Sequence, residues 1–250
     1  MRAALAALAV AVAGCSFALP DPTSGDGGDG GGPQSRRCRS LGTVDPTDLR
    51  LCLDLEDASP MTVARDTSGL DHDALAVLVT PTPHDTEQAG AFSGGSLLSV
   101  DPTADLDITP AVSIDLFAAF AQPIAEHERY GMLDHGGHYA ISYDDHQEVH
   151  CELEGGQYAD SRVKIADALF HHVACTYDDT ELRIYVDGDV VNCQTTDTTI
   201  DIAPAPTVIG AQLRGALDDI HVFARALRPD EICALARRGS GCNATCPSSE

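Results

Sequence analysis

Glu152 and Glu154 stand two residues apart in the segment 148–154, so an extended backbone would place both carboxylates on one strand face. Two acids about 5 to 10 Å apart are what cleavage of a glycosidic bond requires. Solvated acids on an outer strand face account for the same two residues without chemistry, and that reading is preferred. His135 and His138 flank Gly136-Gly137 and offer two imidazoles to a metal, but no third ligand has a fixed spacing to them. The chain contains no Gly-x-Ser-x-Gly elbow, no phosphate loop and no His-Glu-x-x-His helix, so the commonest nucleophile, nucleotide and zinc-protease chemistries lack their residues. No catalytic residue is assigned.

Cysteine is the other reactive side chain in quantity. Nine are present, and setting Cys15 aside leaves Cys38, Cys52, Cys151, Cys175, Cys193, Cys233, Cys242 and Cys246, an even set without a C-x-x-C pair. Disulfides in an exported protein are therefore expected rather than a zinc site. Cys151 and Cys175 both point inward in the strand alternation of their segments, which makes them one expected pair. Cys233, Cys242 and Cys246 are expected to close the C-terminal segment onto the body, with Cys38 or Cys52 as partners.

The first residues have the layout of a secretory signal: Arg2, an apolar run over 3–13, then Gly14-Cys15. Val12-Ala13-Gly14-Cys15 resembles a bacterial lipobox, in which the cysteine becomes the acylated first residue of the mature chain. That resemblance implies residues 1–15 as signal and lipid-attachment site, with Cys15 holding the protein to a membrane. Ser16 in place of Asp implies the outer membrane or cell surface. Residues 16–37 are Gly, Asp, Pro and Ser with little to bury and read as a flexible tether. A single folded domain is expected over 38–246. The charge of −24, from 39 acidic against 15 basic residues, excludes nucleic acid as a partner.

Strands are expected to position these groups. Val149, Cys151 and Leu153 alternate with His150 and Glu152; Val173, Cys175 and Tyr177 repeat the pattern, as do Leu182, Ile184 and Val186. Asp187-Gly188 supplies a tight hairpin turn. Further strands are expected over 49–55, 91–100, 112–119, 132–143, 207–209 and 216–223. The one helix signal is Pro229-Asp230-Glu231, opening a short C-terminal helix. Short antiparallel strands without βαβ spacing give an all-β, two-sheet antiparallel β-sandwich.

Four stretches, in order, resemble the laminin G-like jelly rolls of the concanavalin A-like superfamily. They are "RDTSG" at 65–69, "GAFSGGSLLSVDPTADLDITPAVSIDLFAAF" at 90–120, "FHHVACTYDDTELRIYVDGDVV" at 170–191 and "GALDDIHVFARALRPDEI" at 215–232. The resemblance implies a concanavalin A-like jelly roll. It also implies a structural Ca²⁺ pinning the opening turn to the closing strand, with Asp66 and Asp218 or Asp219 as ligands. Relatives that cleave glycans carry a Glu-x-Asp-x-x-Glu strand that this chain lacks. Tryptophan is usual on the central strands but absent here, Phe170 occupying one such place. By analogy with the family, the chain is expected to be a lipid-anchored surface module that binds glycan or protein without catalysis; the alternatives are a structural envelope lipoprotein or a glycan-cleaving enzyme.

Overall fold

The computed structural model describes residues 38–57, 59–120, 124–201 and 203–247, all within one compact unit that runs from Ser35 to Glu250. The signal segment, Cys15 and the tether lie outside the described residues. Sixteen strands are present among them: β1 (Leu49–Leu53), β2 (Val63–Ala64), β3 (Ala74–Val77), β4 (Thr80–His84), β5 (Glu87–Ser93), β6 (Leu97–Val100), β7 (Val112–Ala119) and β8 (Arg129–His135), then β9 (Tyr139–Asp144), β10 (Val149–Leu153), β11 (Gln157–Asp160), β12 (Phe170–Tyr177), β13 (Glu181–Val186), β14 (Asp189–Thr195), β15 (Thr207–Ile209) and β16 (Arg214–Phe223). One helix comes after them, α1 (Pro229–Leu235). No helix among the described residues is long and apolar enough to cross a membrane.

The strands form two antiparallel sheets. The first has the order β14-β13-β12-β7-β16-β5-β4 with β1 also paired to β16, and the second β11-β10-β9-β8-β15-β6-β3-β2. Inward residues from both, among them Ile114, Leu116, Cys175 and Ile184 of the first sheet and Met132, Ile141, Val149 and Cys151 of the second, make the main core. This is the expected sandwich. The alternation at β10, β12 and β13 selects the residues that face it, because a period of two puts every second side chain inside.

Several strands differ from expectation for local reasons. The stretch 91–100 is two strands, since Gly94 with φ +82° turns the chain between β5 and β6. Gly136 and Gly137, both at positive φ, likewise divide 132–143 into β8 and β9. Strand β4 carries Pro81 and Pro83, a composition that reads as loop, yet it lies at the border of the first sheet, where a missing N–H breaks no ladder.

Four disulfides are present. Cys151 of β10 joins Cys175 of β12 and so bolts one sheet to the other through the core. Cys38 joins Cys52, holding the N-terminal segment to β1, instead of reaching the C-terminal cysteines. Cys233 of α1 joins Cys242, and Cys193 of β14 joins Cys246. The tail is further fixed where the Val190 N–H donates to the Asn243 carbonyl along β14 (2.9 Å). Four such bonds belong to a protein of an oxidising compartment outside the cytosol.

Candidate functional site

The site grows from the outward positions of β7. Ser113, Asp115, Phe117 and Ala119 alternate with the core residues Ile114, Leu116 and Ala118. Strand pairing extends each into a row across the sheet. Asp115 lies beside His221 of β16 and Ala174 of β12, and that row continues to Cys52 and Tyr185. Phe117 lies between Asp218 and His172. Ala119 lies between Ala216, itself paired with Ala91, and Phe170.

This outer face is not solvated. The N-terminal segment and α1 cover one end, where Leu41, Val44, Tyr185, Phe223, Ile232 and Leu235 form a second apolar cluster. The face is also concave. Strands β12 and β4 have three strands between them, so a flat sheet would hold them roughly 19 Å apart. Yet the His84 ring of β4 stacks on the Phe170 ring of β12, 3.9 Å between centroids and 23° between planes. Only a sheet that curls over this face brings its border strand onto β12.

Buried ionic groups fill the middle of the concavity. Asp115, 1% exposed, accepts from His221 Nδ1 (2.8 Å) and meets His172 Nε2 at 3.4 Å. Burial opposes its ionisation, but the two imidazoles outweigh burial and hold its carboxyl below the usual range. His221 is driven the other way: burial disfavours its charge, and the Asp115 carboxylate overcomes that and raises it. A bulge in β16 turns both Asp218 and Asp219 inward, with Asp219 at φ +46°. Asp218 accepts from His84 Nδ1 at 2.6 Å, and burial raises its pKa against that partner. Asp219 is raised to about 6 by burial and by the Asp218 charge, although Arg237 Nη2 sits 2.5 Å away. Arg237 lies 5.0 Å over the Phe117 ring as well.

At the open end is a cavity of about 570 Å³, within the ~300–1,000 Å³ range of small-molecule sites. Ala91, Ala119 and Ala216 form its floor, Phe170 its apolar wall, and Thr82 and Arg214 its polar edge, while the core residues Phe92, Ile124 and Tyr130 also line it. The floor is low because its side chains are single methyl groups. Gly215 is required beside them, since a Cβ there would lie 2.4 Å from the Ala119 carbonyl oxygen. Phe170 is held for contact by a relay: Asp218 fixes the His84 ring, and that ring backs Phe170.

The expected calcium ligands all have protein partners. Asp66 is wholly buried, and its oxygens accept N–H bonds from Cys52, Ser68 and His72 and the Ser68 hydroxyl, at 2.7–2.9 Å. Hydrogens rather than lone pairs surround it. Asp218 and Asp219 face His84 and Arg237 instead, so these three residues do not fit a cation. Among the described residues, ligating atoms gather in three groups, none containing them: Cys38/Cys52/Asp54/His221, Glu181/Cys193/Cys246 and Asp144/Asp145/His146. The sulfurs of the first two groups are consumed by disulfides.

Glu152 and Glu154 do not share a strand face either, because β10 ends at Leu153 and a 3₁₀ turn begins at Glu154. Glu152 pairs with Arg129 (2.7 Å) and accepts from Ser142 (2.6 Å), while Glu154 meets His138 at 3.1 Å. His135 is spent on Thr207 and Asp107, and His171 on Asp167 and Asp187.

One arrangement is invisible in the sequence. Ser40 Oγ, His221 Nε2 and Asp115 take the order of a Ser–His–Asp relay, with Ser40 2.7 Å from the imidazole. The Ser40 hydroxyl, however, donates to Asp54, which also accepts from Thr67 (2.9 Å). A hydroxyl committed to a carboxylate accepts from the imidazole rather than surrendering its proton to it. Asp54 also puts negative charge where an oxyanion would need donors.

Solved structures share the fold. The binding domain of Paraclostridial Mosquitocidal Protein 1 superposes with a TM-score of 0.61 at 14% identity, covering 76% of this chain and 52% of that one. Trypanosoma rangeli sialidase gives 0.59 at 17%, with 76% and 32% covered. Domain 4 of an extracellular arabinanase from Geobacillus stearothermophilus, solved with arabinotriose, gives 0.61 at 14%, with 77% and 100% covered. This chain therefore spans about half the length of the first of these and all of the last. No curated protein has a matching sequence. Residues 93–233, more than half of the chain, match the laminin G family described as the concanavalin A-like lectin/glucanases superfamily, and with the two-sheet sandwich built from them, the chain belongs to that superfamily.

Proposed function

We propose that this protein is a non-catalytic glycan-binding module, displayed at the cell surface by a lipid on Cys15, and that the concave-face cavity is its binding site. The observation that carries the reading is the fixed ring of Phe170 beside a floor of alanine methyls. A sugar presents an apolar C–H face and a rim of hydroxyls, which suits a ring wall with polar groups at its edge. Holding that ring through His84 and Asp218 removes the cost of ordering it on binding. The tryptophan usual at this place in relatives is replaced by a smaller ring, which offers a sugar less apolar area. Two structural neighbours fit the reading: the arabinanase domain was solved with arabinotriose, and a botulinum neurotoxin type C structure concerns interaction with two ganglioside molecules.

The non-catalytic part rests on the carboxylates: Glu152 is neutralised by Arg129, and the Ser40 relay is blocked by Asp54. Glycan-array screening of the full chain followed by calorimetry is the test. Phe170→Ala is expected to weaken binding about tenfold or more while the fold persists. Unchanged affinity in that variant would move the site elsewhere. For the anchor, mass spectrometry of the mature N-terminus should show acylated Cys15; an unmodified terminus at Ser16 or beyond would remove that element.

A further inference from the structure

Arg214 is the one charged residue lining the cavity among the described residues. The chain has 39 acidic residues for 15 basic ones, and most described arginines take a carboxylate partner; Arg39, Arg162 and Arg214 do not, and of these three Arg214 is the one that lines the cavity. The groove on the second sheet shows the ordinary outcome: its cation, Arg129, lies 2.7 Å from Glu152. Arg237, over the Phe117 ring of the same face, is shared among Asp85, Glu87 and Asp219. Arg214 has no carboxylate partner among the described residues, and it stands exposed at the mouth of the cavity, where a ligand can reach it.

Its position is also set. Arg214 begins β16 opposite Ser93 of β5, and its guanidinium crosses the backbone of Gly94. A Cβ at position 94 would lie 3.0 Å from the Arg214 Cζ, and φ there is +82°, so both space and backbone favour glycine. The guanidinium thus lies over bare peptide with its fork open. A planar, permanently charged fork matches one ligand group above others, a carboxylate held by two parallel hydrogen bonds.

Resting on the proposed glycan-binding role of this cavity, we propose that it selects acidic sugars, with Arg214 binding the sugar carboxylate while Phe170 takes the ring face. Arg214 is a specificity residue in this scheme, and Phe170 serves neutral and acidic sugars alike. The whole-chain charge repels anions at long range, so the acid preference arises only at contact.

The test compares three ligands on the full chain by calorimetry: a hexuronic acid oligomer, its methyl ester, and the neutral hexose oligomer of the same linkage. The free acid is expected to bind about tenfold or more tighter than the ester and the neutral oligomer, the effect of a charge-assisted hydrogen-bond pair. Arg214→Gln should abolish that ratio, bringing the free acid down to the affinity of the neutral oligomer measured in the same variant; Arg214→Lys should restore it only in part, having charge without the fork. Equal affinities for the three ligands, or a ratio that survives in Arg214→Gln, overturns the acid preference alone. If none of the three binds and the array is blank, the glycan reading falls and takes this inference with it. A folded Arg214→Gln chain, verified by an unchanged melting temperature, keeps the comparison interpretable.

Discussion

The two faces of the first sheet use the same strands in opposite ways. On the inner face of β7, Ile114, Leu116 and Ala118 meet the other sheet through apolar contact alone, and the Cys151–Cys175 bond adds a covalent tie. On the outer face, one residue away at each step, Ser113, Asp115, Phe117 and Ala119 pass from a polar anchor to a buried carboxylate, an aromatic ring and a cavity floor. Burial is equally deep on both sides, since Asp115 and Leu116 are both almost fully enclosed. The inner face tolerates any well-packed apolar set. The outer face depends on named partners, because an unmatched buried charge costs far more than a missing methyl.

The sharpest way to break the comparison is Asp115→Ala, which leaves His172 and His221 buried without their shared acceptor. A loss of about 3–5 kcal/mol is expected in denaturant unfolding; a loss under about 1 kcal/mol, the exposed-pair value, would show the network to be incidental. On the inner face, Cys151→Ala with Cys175→Ala opens a 24-residue separation, with an expected cost of about 3 kcal/mol from loop entropy. That double variant should lower the melting temperature equally at pH 5 and pH 8, since nothing titrates in its place.

The outer face, in contrast, should respond to pH. Asp219 has its pKa raised to about 6 from 3.8 in the folded state, so the native chain holds a proton that the unfolded chain has lost. Its contribution is complete below about pH 4 and is lost as pH rises through 6. The shift corresponds to on the order of 3 kcal/mol. Asp219→Asn stays neutral throughout and is expected to narrow the stability difference between pH 5 and pH 8. An unchanged difference would place the proton on another group, such as the neighbouring Asp218. The smallest expected effect is none at all: chelator should leave the melting temperature unchanged, because Asp66, Asp218 and Asp219 are satisfied by protein partners. A drop would locate a cation at other residues.

The same contrast between faces governs how much is legible from the chain alone. The strands facing the main core follow from a period of two, and the match extends to the limits of 112–119 and 207–209, both observed as β7 and β15. The same rule misplaces Tyr185 and His150, which fall on outward faces yet are buried, because sequence patterning does not reveal that a second layer covers the first sheet or that Asp144 lies 2.7 Å from His150. Asp218 and Asp219 are singled out from the sequence only as cation ligands that the resemblance implies; their partners His84 and Arg237 are distant in sequence and come close only when the sheet curls and α1 docks. Phe170 is visible through the tryptophan it replaces. Arg214 carries no signal, since being without a partner is a property of the folded chain.

The prolines of β4 and the tethered tail along β14 have a joint effect on how copies of this molecule behave side by side. They stand at opposite borders of the first sheet, one lacking the donors that a new strand would need at Pro81 and Pro83, the other already hydrogen-bonded to Asn243 and locked there by Cys193–Cys246. Both margins are poor templates for a foreign chain. At these two borders, crowding of copies therefore offers the sheet few free donors on which to grow.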